Sequence, residues 1–129
     1  ELSRDLAVAV RQLVPAGVTT VLNITAAALQ EISAREAEDL LYITREALSN
    51  AVRHGSPTKI AIDLRQSEFE TALTIQDNGV GYDQAHVRPG LGTASAHNRA
   101  KRLGAELTML GIPGMGATVR VTIPRSHNV

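Results

Sequence analysis

Two segments of this chain, Lys59–Arg65 and Phe69–Asp77, alternate apolar with polar residues and are separated only by Gln66-Ser67-Glu68. That spacing predicts an antiparallel hairpin with one apolar face, and such a face has to be covered by another layer. Helical periodicity supplies the cover. Leu2, Leu6, Ala9, Val10 and Leu13 predict a first helix over 2–13, ended by Pro15 and Gly17. Ser33 with Glu36 three residues on has the form of a capping box and opens a second helix that runs to His54 and stops at Gly55-Ser56-Pro57. A third covers roughly 93–103 and closes at Gly104. Val18–Ile24 reads as a strand, and Glu106–Leu110 with Ala117–Ile123 as a second hairpin turning through Gly111-Ile112-Pro113-Gly114. The order α, β, α, β, β, α, β, β argues for a two-layer α+β sandwich.

At 129 residues the chain makes one domain. Its charge is balanced, 13 Lys and Arg against 13 Asp and Glu, so the positive footprint of a nucleic-acid binder is missing. Tyr42, Tyr82 and Phe69 are the only aromatic residues and Trp is absent, so any planar ligand has to be gripped by aliphatic walls. The lack of Cys excludes disulfides, thiolate metal sites and Cys nucleophiles. No apolar run reaches membrane-spanning length, and no membrane contact is expected of this domain. The first residue is Glu, which reads as a piece cut from a longer polypeptide.

Projected at 100° per residue, the second helix turns Leu40, Leu41, Thr44, Ala47, Leu48 and Ala51 inward and Glu38, Arg45 and Ser49 outward. Glu46, Asn50 and His54, with Ile43 among them, recur along the border between the two surfaces. By itself this stripe also fits a solvated helix flank. On the second hairpin strand, Phe69, Leu73 and Ile75 share a face, and period-two counting puts Asp77 on it too. A carboxylate there needs hydrogen-bond donors, either from an Asx-turn through Asn78-Gly79 or from a ligand.

Glycine spacing adds a third feature. Asp77-Asn78-Gly79-Val80-Gly81 is followed nine residues later by Gly90-Leu91-Gly92-Thr93, directly before a helix. Glycines allow close backbone approach, and a helix N-terminus offers free N–H groups to phosphate. Neither the dinucleotide fingerprint nor the P-loop pattern is present.

Glu46-Ala47-Leu48-Ser49-Asn50-Ala51-Val52-Arg53-His54, then Asp77-Asn78-Gly79-Val80-Gly81, Gly90-Leu91-Gly92-Thr93, and Gly114-Met115-Gly116-Ala117-Thr118-Val119 with Pro124, resemble in order the N box and glycine boxes of bacterial sensor histidine kinases. The likeness spans nearly the whole chain and is greatest to the catalytic ATP-binding domain of the nitrate- and desaturase-sensor subfamily. It implies the Bergerat fold, with a mixed sheet of about five strands covered by three helices.

Carried over residue by residue, the resemblance assigns Mg²⁺ coordination to Asn50 and the base or water-organising position to Glu46. It gives Asp77 the adenine amino group, with Gly79 and Gly81 keeping the turn open beneath the base. Arg53 and His54 lie towards the phosphates, while Gly90, Leu91, Gly92 and Thr93 wrap them, and Thr118 stands in for the Thr that commonly occupies position 117. Two departures are visible: Ala96-His97-Asn98-Arg99 replaces a frequent Met-Arg-Glu-Arg, and Ala117 replaces that Thr. The cofactors implied are ATP and Mg²⁺. The implied partners are a dimerisation and phosphoacceptor domain of the parent kinase and, indirectly, a response regulator. The domain is expected to be cytoplasmic, whether its parent is membrane-anchored or soluble, and monomeric in isolation.

His54, His86, His97 and His127 match no zinc spacing. They are followed by Gly55, Val87, Asn98 and Asn128, whereas family phosphoacceptors typically precede an acidic residue, so the chain alone is not expected to phosphorylate itself. An anti-sigma-factor serine kinase of the same fold and a non-catalytic, nucleotide-gated docking module are the alternatives.

Overall fold

A computed structural model describes residues 1–83 and 93–126 of the chain. The elements run α1 (Leu2–Leu13), β1 (Thr19–Ile24), α2 (Ala26–Glu31), α3 (Ala34–Asn50) continued by a π-helical turn (Ala51–Gly55), β2 (Lys59–Gln66), β3 (Glu70–Asp77), α4 (Thr93–Arg102), β4 (Glu106–Ile112) and β5 (Gly116–Pro124). Five strands form one sheet in the order β1-β2-β3-β5-β4. β1 is parallel to β2, and every other pair is antiparallel. A parallel neighbour needs a crossover, which α2 and α3 provide.

The sheet and the helices meet along one apolar seam. Leu6 and Ala9 of α1 and Leu40, Ile43 and Leu48 of α3 pack with Ile60, Ile62, Leu64, Leu73, Ile75, Val121 and Ile123 of the sheet, all of them buried. The opposite face of the sheet carries the alternate residues, with Asp63, Thr74, Gln76 and Arg120 at its centre and the exposed Leu110 and Ile112 on its β4 edge. This is the two-layer sandwich expected from the order of periodicities.

Several local expectations need correction. α2 has no counterpart in the periodicity: six residues are too few for it to show, and the helix is capped by the Thr25 side chain accepting from Ala28 N at 3.3 Å. The capping box of α3 has both legs, Glu36 N to Ser33 Oγ at 3.1 Å and Ser33 N to Glu36 Oε1 at 3.0 Å. The helix turns π at Ala51 instead of continuing as α to His54. Ile43 lies in the core and not on a polar border, and Leu41 is only half-buried. Arg45 and Ser49 are half-buried, because α1 packs beside them and Arg45 Nη1 reaches Gln12 Oε1 at 2.9 Å. Phe69 is 67% exposed, since β3 begins one residue later and Thr71 takes the buried place.

Candidate functional site

The site forms where the C-terminal end of α3 meets the turn after β3. Asn50 is the last residue of α3, half-buried, with Glu46 one helical turn before it. In the π turn that follows, hydrogen bonds span one residue more than in an α-helix, a feature that concentrates at functional sites. Here it returns the Arg53 side chain towards the preceding turn: Nη2 donates to Asn50 Oδ1 at 3.0 Å, and Nε to the Ser49 carbonyl at 3.4 Å. Arg53 and His54 are exposed, Gly55 is buried, and Ser56 leaves the helix with φ of 46°.

Asp77 closes β3 on the helix-covered face. The residue is 8% exposed, and its Oδ1 accepts from Gly79 N at 2.8 Å, an Asx-turn that satisfies one carboxylate oxygen. Asn78 ties the same turn to β2: its Oδ1 accepts from Thr58 N and Lys59 N, each at 2.9 Å, and its Nδ2 donates to Thr58 Oγ1 at 2.8 Å. The α3 end is fastened by Val80 N donating to the Gly55 carbonyl at 2.8 Å. A Cβ on Gly79 would run into that carbonyl oxygen, and one on Gly81, which has φ of +66°, into the carbonyls of Ile112 and Gly116. Both positions therefore need glycine: the first because backbone passes over backbone, the second for its conformation as well.

The hairpin of β4 and β5 forms the remaining wall. Gly114 N donates to the Val80 carbonyl at 2.7 Å. The Tyr82 ring lies so close to Gly111 that a Cβ there would sit 2.5 Å from its carbons. Burial chiefly, and the Asp77 charge next, push the Tyr82 phenol above its ordinary pKa, so this ring is a neutral wall near a carboxylate.

Of the residues singled out from the sequence, the structure joins Asn50 to Arg53 and brings Gly55, at the end of the same helical run, against Asp77 and Gly79, with Gly81 two residues on and Glu46 one turn before Asn50. Gly90, Leu91 and Gly92 lie outside the described residues. Thr93 is the first residue of α4. Thr118 has to be removed from the group: it pairs with Gln76, whereas Asp77 pairs with Ala117, so Thr118 faces the opposite side of the sheet from Asp77. The shift of one residue from Ala117 to Thr118 is what turns it away. Asn78 and Tyr82 were missed because their partners, Thr58 and Gly111, are far away in sequence. Among the described residues no group of three or more His, Cys, Asp or Glu is placed to hold a metal ion.

The sequence profile described as histidine kinase-, DNA gyrase B-, and HSP90-like ATPase matches residues 35–127. Sensor protein VraS of Staphylococcus saprophyticus is 37% identical over 89 residues, 67% of this chain and 26% of that protein. VraS of Staphylococcus aureus is 34% identical over 89 residues with the same shares, so the chain spans about a quarter of the length of these curated relatives. The histidine kinase domain of the Erythrobacter litoralis EL346 blue-light activated histidine kinase superposes with a TM-score of 0.80 at 18% identity, covering 95% of this chain and 58% of that one. The mycobacterial sensor histidine kinase MprB gives 0.70 at 17%, covering 95% and 92%. At such identities these structures speak for the fold alone. Among the described residues no helix is long and apolar enough to cross a membrane. Because the matched profile takes in nearly all of α3, the Asp77 turn and the hairpin that walls it, the chain belongs to the family of histidine kinase-, DNA gyrase B- and HSP90-like ATPases.

Proposed function

We propose that this chain is the catalytic domain of a sensor histidine kinase, binding ATP through Asp77 and Mg²⁺ through Asn50, and passing the γ-phosphoryl group to a histidine on a dimerisation domain of the same parent. The observation that carries the reading is Asp77 itself: a carboxylate 8% exposed, held by one turn N–H, at a turn that two glycines keep clear beside the α3 end. Such a group suits the exocyclic amino group of adenine, a donor, and disfavours guanine, which presents a carbonyl at that position.

The residues at the α3 end fit a magnesium ion that takes most of its ligands from phosphates and water, since Asn50 Oδ1 is a neutral oxygen donor. When bound, the ion neutralises polyphosphate charge. Arg53 now occupies that amide oxygen at 3.0 Å, so it has to swing away, and its guanidinium then becomes available to phosphate oxygens. Phosphoryl transfer to histidine breaks the bond between Pγ and its bridging oxygen, forms a P–N bond and releases ADP. Positioning and charge neutralisation do most of this work. Glu46, one turn before Asn50, is proposed to accept the imidazole proton or to organise water.

The proposal extends to the parent: a cytoplasmic domain, monomeric alone, that serves a dimerisation and phosphoacceptor domain and, through it, a response regulator. Labelled ATP with Mg²⁺ tests it, using this chain alone and the chain extended upstream. Acid-labile, base-stable label is expected on the extended protein only. Label on His54, His86, His97 or His127 of the isolated chain would overturn the division of labour, and acid-stable label would point to serine.

A further inference from the structure

The most deeply buried charge in the described structure is Asp39 of α3, at 0% exposure, and the site above makes no use of it. Its Oδ1 accepts from Arg99 Nη1 of α4 at 3.0 Å, and its Oδ2, which has no hydrogen-bond partner, lies 3.9 Å from Arg102 Nε. Arg99 is 28% exposed, stacks 4.2 Å from the centroid of the Tyr42 ring and has Glu38 Oε1 at 4.0 Å. All of the partners therefore join α3 to α4.

What α4 otherwise offers to the core is small. Its buried apolar residues are Ala96 and Ala100, one turn apart. Two alanines let helices approach closely, but the ridge they make is shallow and resists sliding and rotation poorly. A buried ion pair is not the most stabilising way to join two helices, because an apolar pair of similar volume does as well or better. What the guanidinium adds is direction: its planar fork meets Asp39 on one side and the Tyr42 face on another, and both are satisfied at one axial setting of α4.

We propose that Asp39 and Arg99 are positioning residues, whose ion pair sets the register of α4 on α3 and so the place of the first turn of α4 relative to Asn50. This rests on the functional reading above, in which Asp77 holds the base, and on the sequence resemblance that gives Thr93, the first residue of α4, to the phosphates. The two ends of the nucleotide then depend on the pair unequally, because the turn that carries Asp77 is fastened to β2, Gly55 and the β4–β5 hairpin, whereas the Asp39 pair fastens α4 to α3.

The test compares ATP with adenosine by calorimetric titration on the wild-type chain, on Asp39→Asn and on the double variant Asp39→Leu with Arg99→Met, with thermal unfolding of each. In both variants ATP affinity should fall about ten-fold while adenosine affinity stays within about two-fold, since a small misplacement of a binding group is enough to lose its interaction. The double variant should do so while melting at or above the wild-type temperature, which separates register from stability. ATP affinity unchanged in the double variant, or ATP and adenosine weakened by the same factor, overturns the proposal. Failure of the wild-type chain to bind either ligand would instead sink the functional reading beneath it, and the proposal with it.

Discussion

The backbone carbonyl of Gly55 accepts a hydrogen bond from Val80 N at 2.8 Å, and this bond seats the end of α3 directly on the turn that carries Asp77. Between the two runs Gly79, which has no room for a side chain. The helix that supplies Asn50 and the strand that supplies Asp77 therefore form one rigid corner.

Gly79→Ala forces that corner open. The new methyl meets backbone, which cannot rotate aside, so a loss of about 1–3 kcal/mol is expected in urea unfolding. Nucleotide binding should fall with it, as read by titration with ATP.

Asp77→Asn separates the turn from the ligand. An amide oxygen can still accept from Gly79 N, so circular dichroism and the unfolding midpoint should change little. The charge-assisted bond to a ligand donor is lost, however, at a cost of about 1.5–3 kcal/mol, or roughly ten-fold to over a hundred-fold in ATP affinity. Unchanged affinity would mean that Asp77 serves its turn alone.

Glu46→Gln and Asn50→Ala should fail in different ways although the residues are one turn apart. The first keeps shape and removes a proton acceptor, so Mg-ATP binds nearly as before while phosphotransfer slows strongly. The second should lose the magnesium dependence of binding. Titration with and without Mg²⁺, alongside phosphotransfer rates, checks both, and an identical defect would refute the division of roles.

Acid stability should report on a clamp remote from the site. Arg125 donates to Glu36 Oε2 at 2.8 Å and to Oε1 at 3.1 Å. Its hydrogen bond, more than any other influence, holds the Glu36 carboxyl below its ordinary value of 4.5, against the opposing effect of burial. A depressed acid pKa adds stability that is complete above the unfolded value and is lost as pH falls through the folded one. Glu36→Gln is therefore expected to cost about 1–3 kcal/mol near pH 7 and progressively less as the pH falls through the folded-state value, below which the wild-type chain has lost the same contribution. Unfolding midpoints of the two proteins across that range should converge on the acid side.

Much of this protein is local information. The capping box at Ser33 and Glu36, the period-two runs of β2 and β3, and the glycines around Asp77 act within a few residues, and the four ordered motifs carry the family resemblance by themselves. Local periodicity also places Asp77 on the apolar face of β3, where the structure finds it buried. What tertiary structure alone decided are the pairings of residues distant in the chain. Alternation within β5 already sets Thr118 with Arg120 and Thr122 on the polar face, but only the register of β5 on β3 puts Ala117 opposite Asp77. Asp39 looks like one more helix-surface carboxylate until Arg99, sixty residues later, arrives beside it. The π turn after Asn50 likewise leaves no periodic trace, because it is five residues long and ends where Gly55 is caught by Val80. Burial of a charge and the face of a side chain depend on which surface comes to lie against it, and that is a property of the assembled layers.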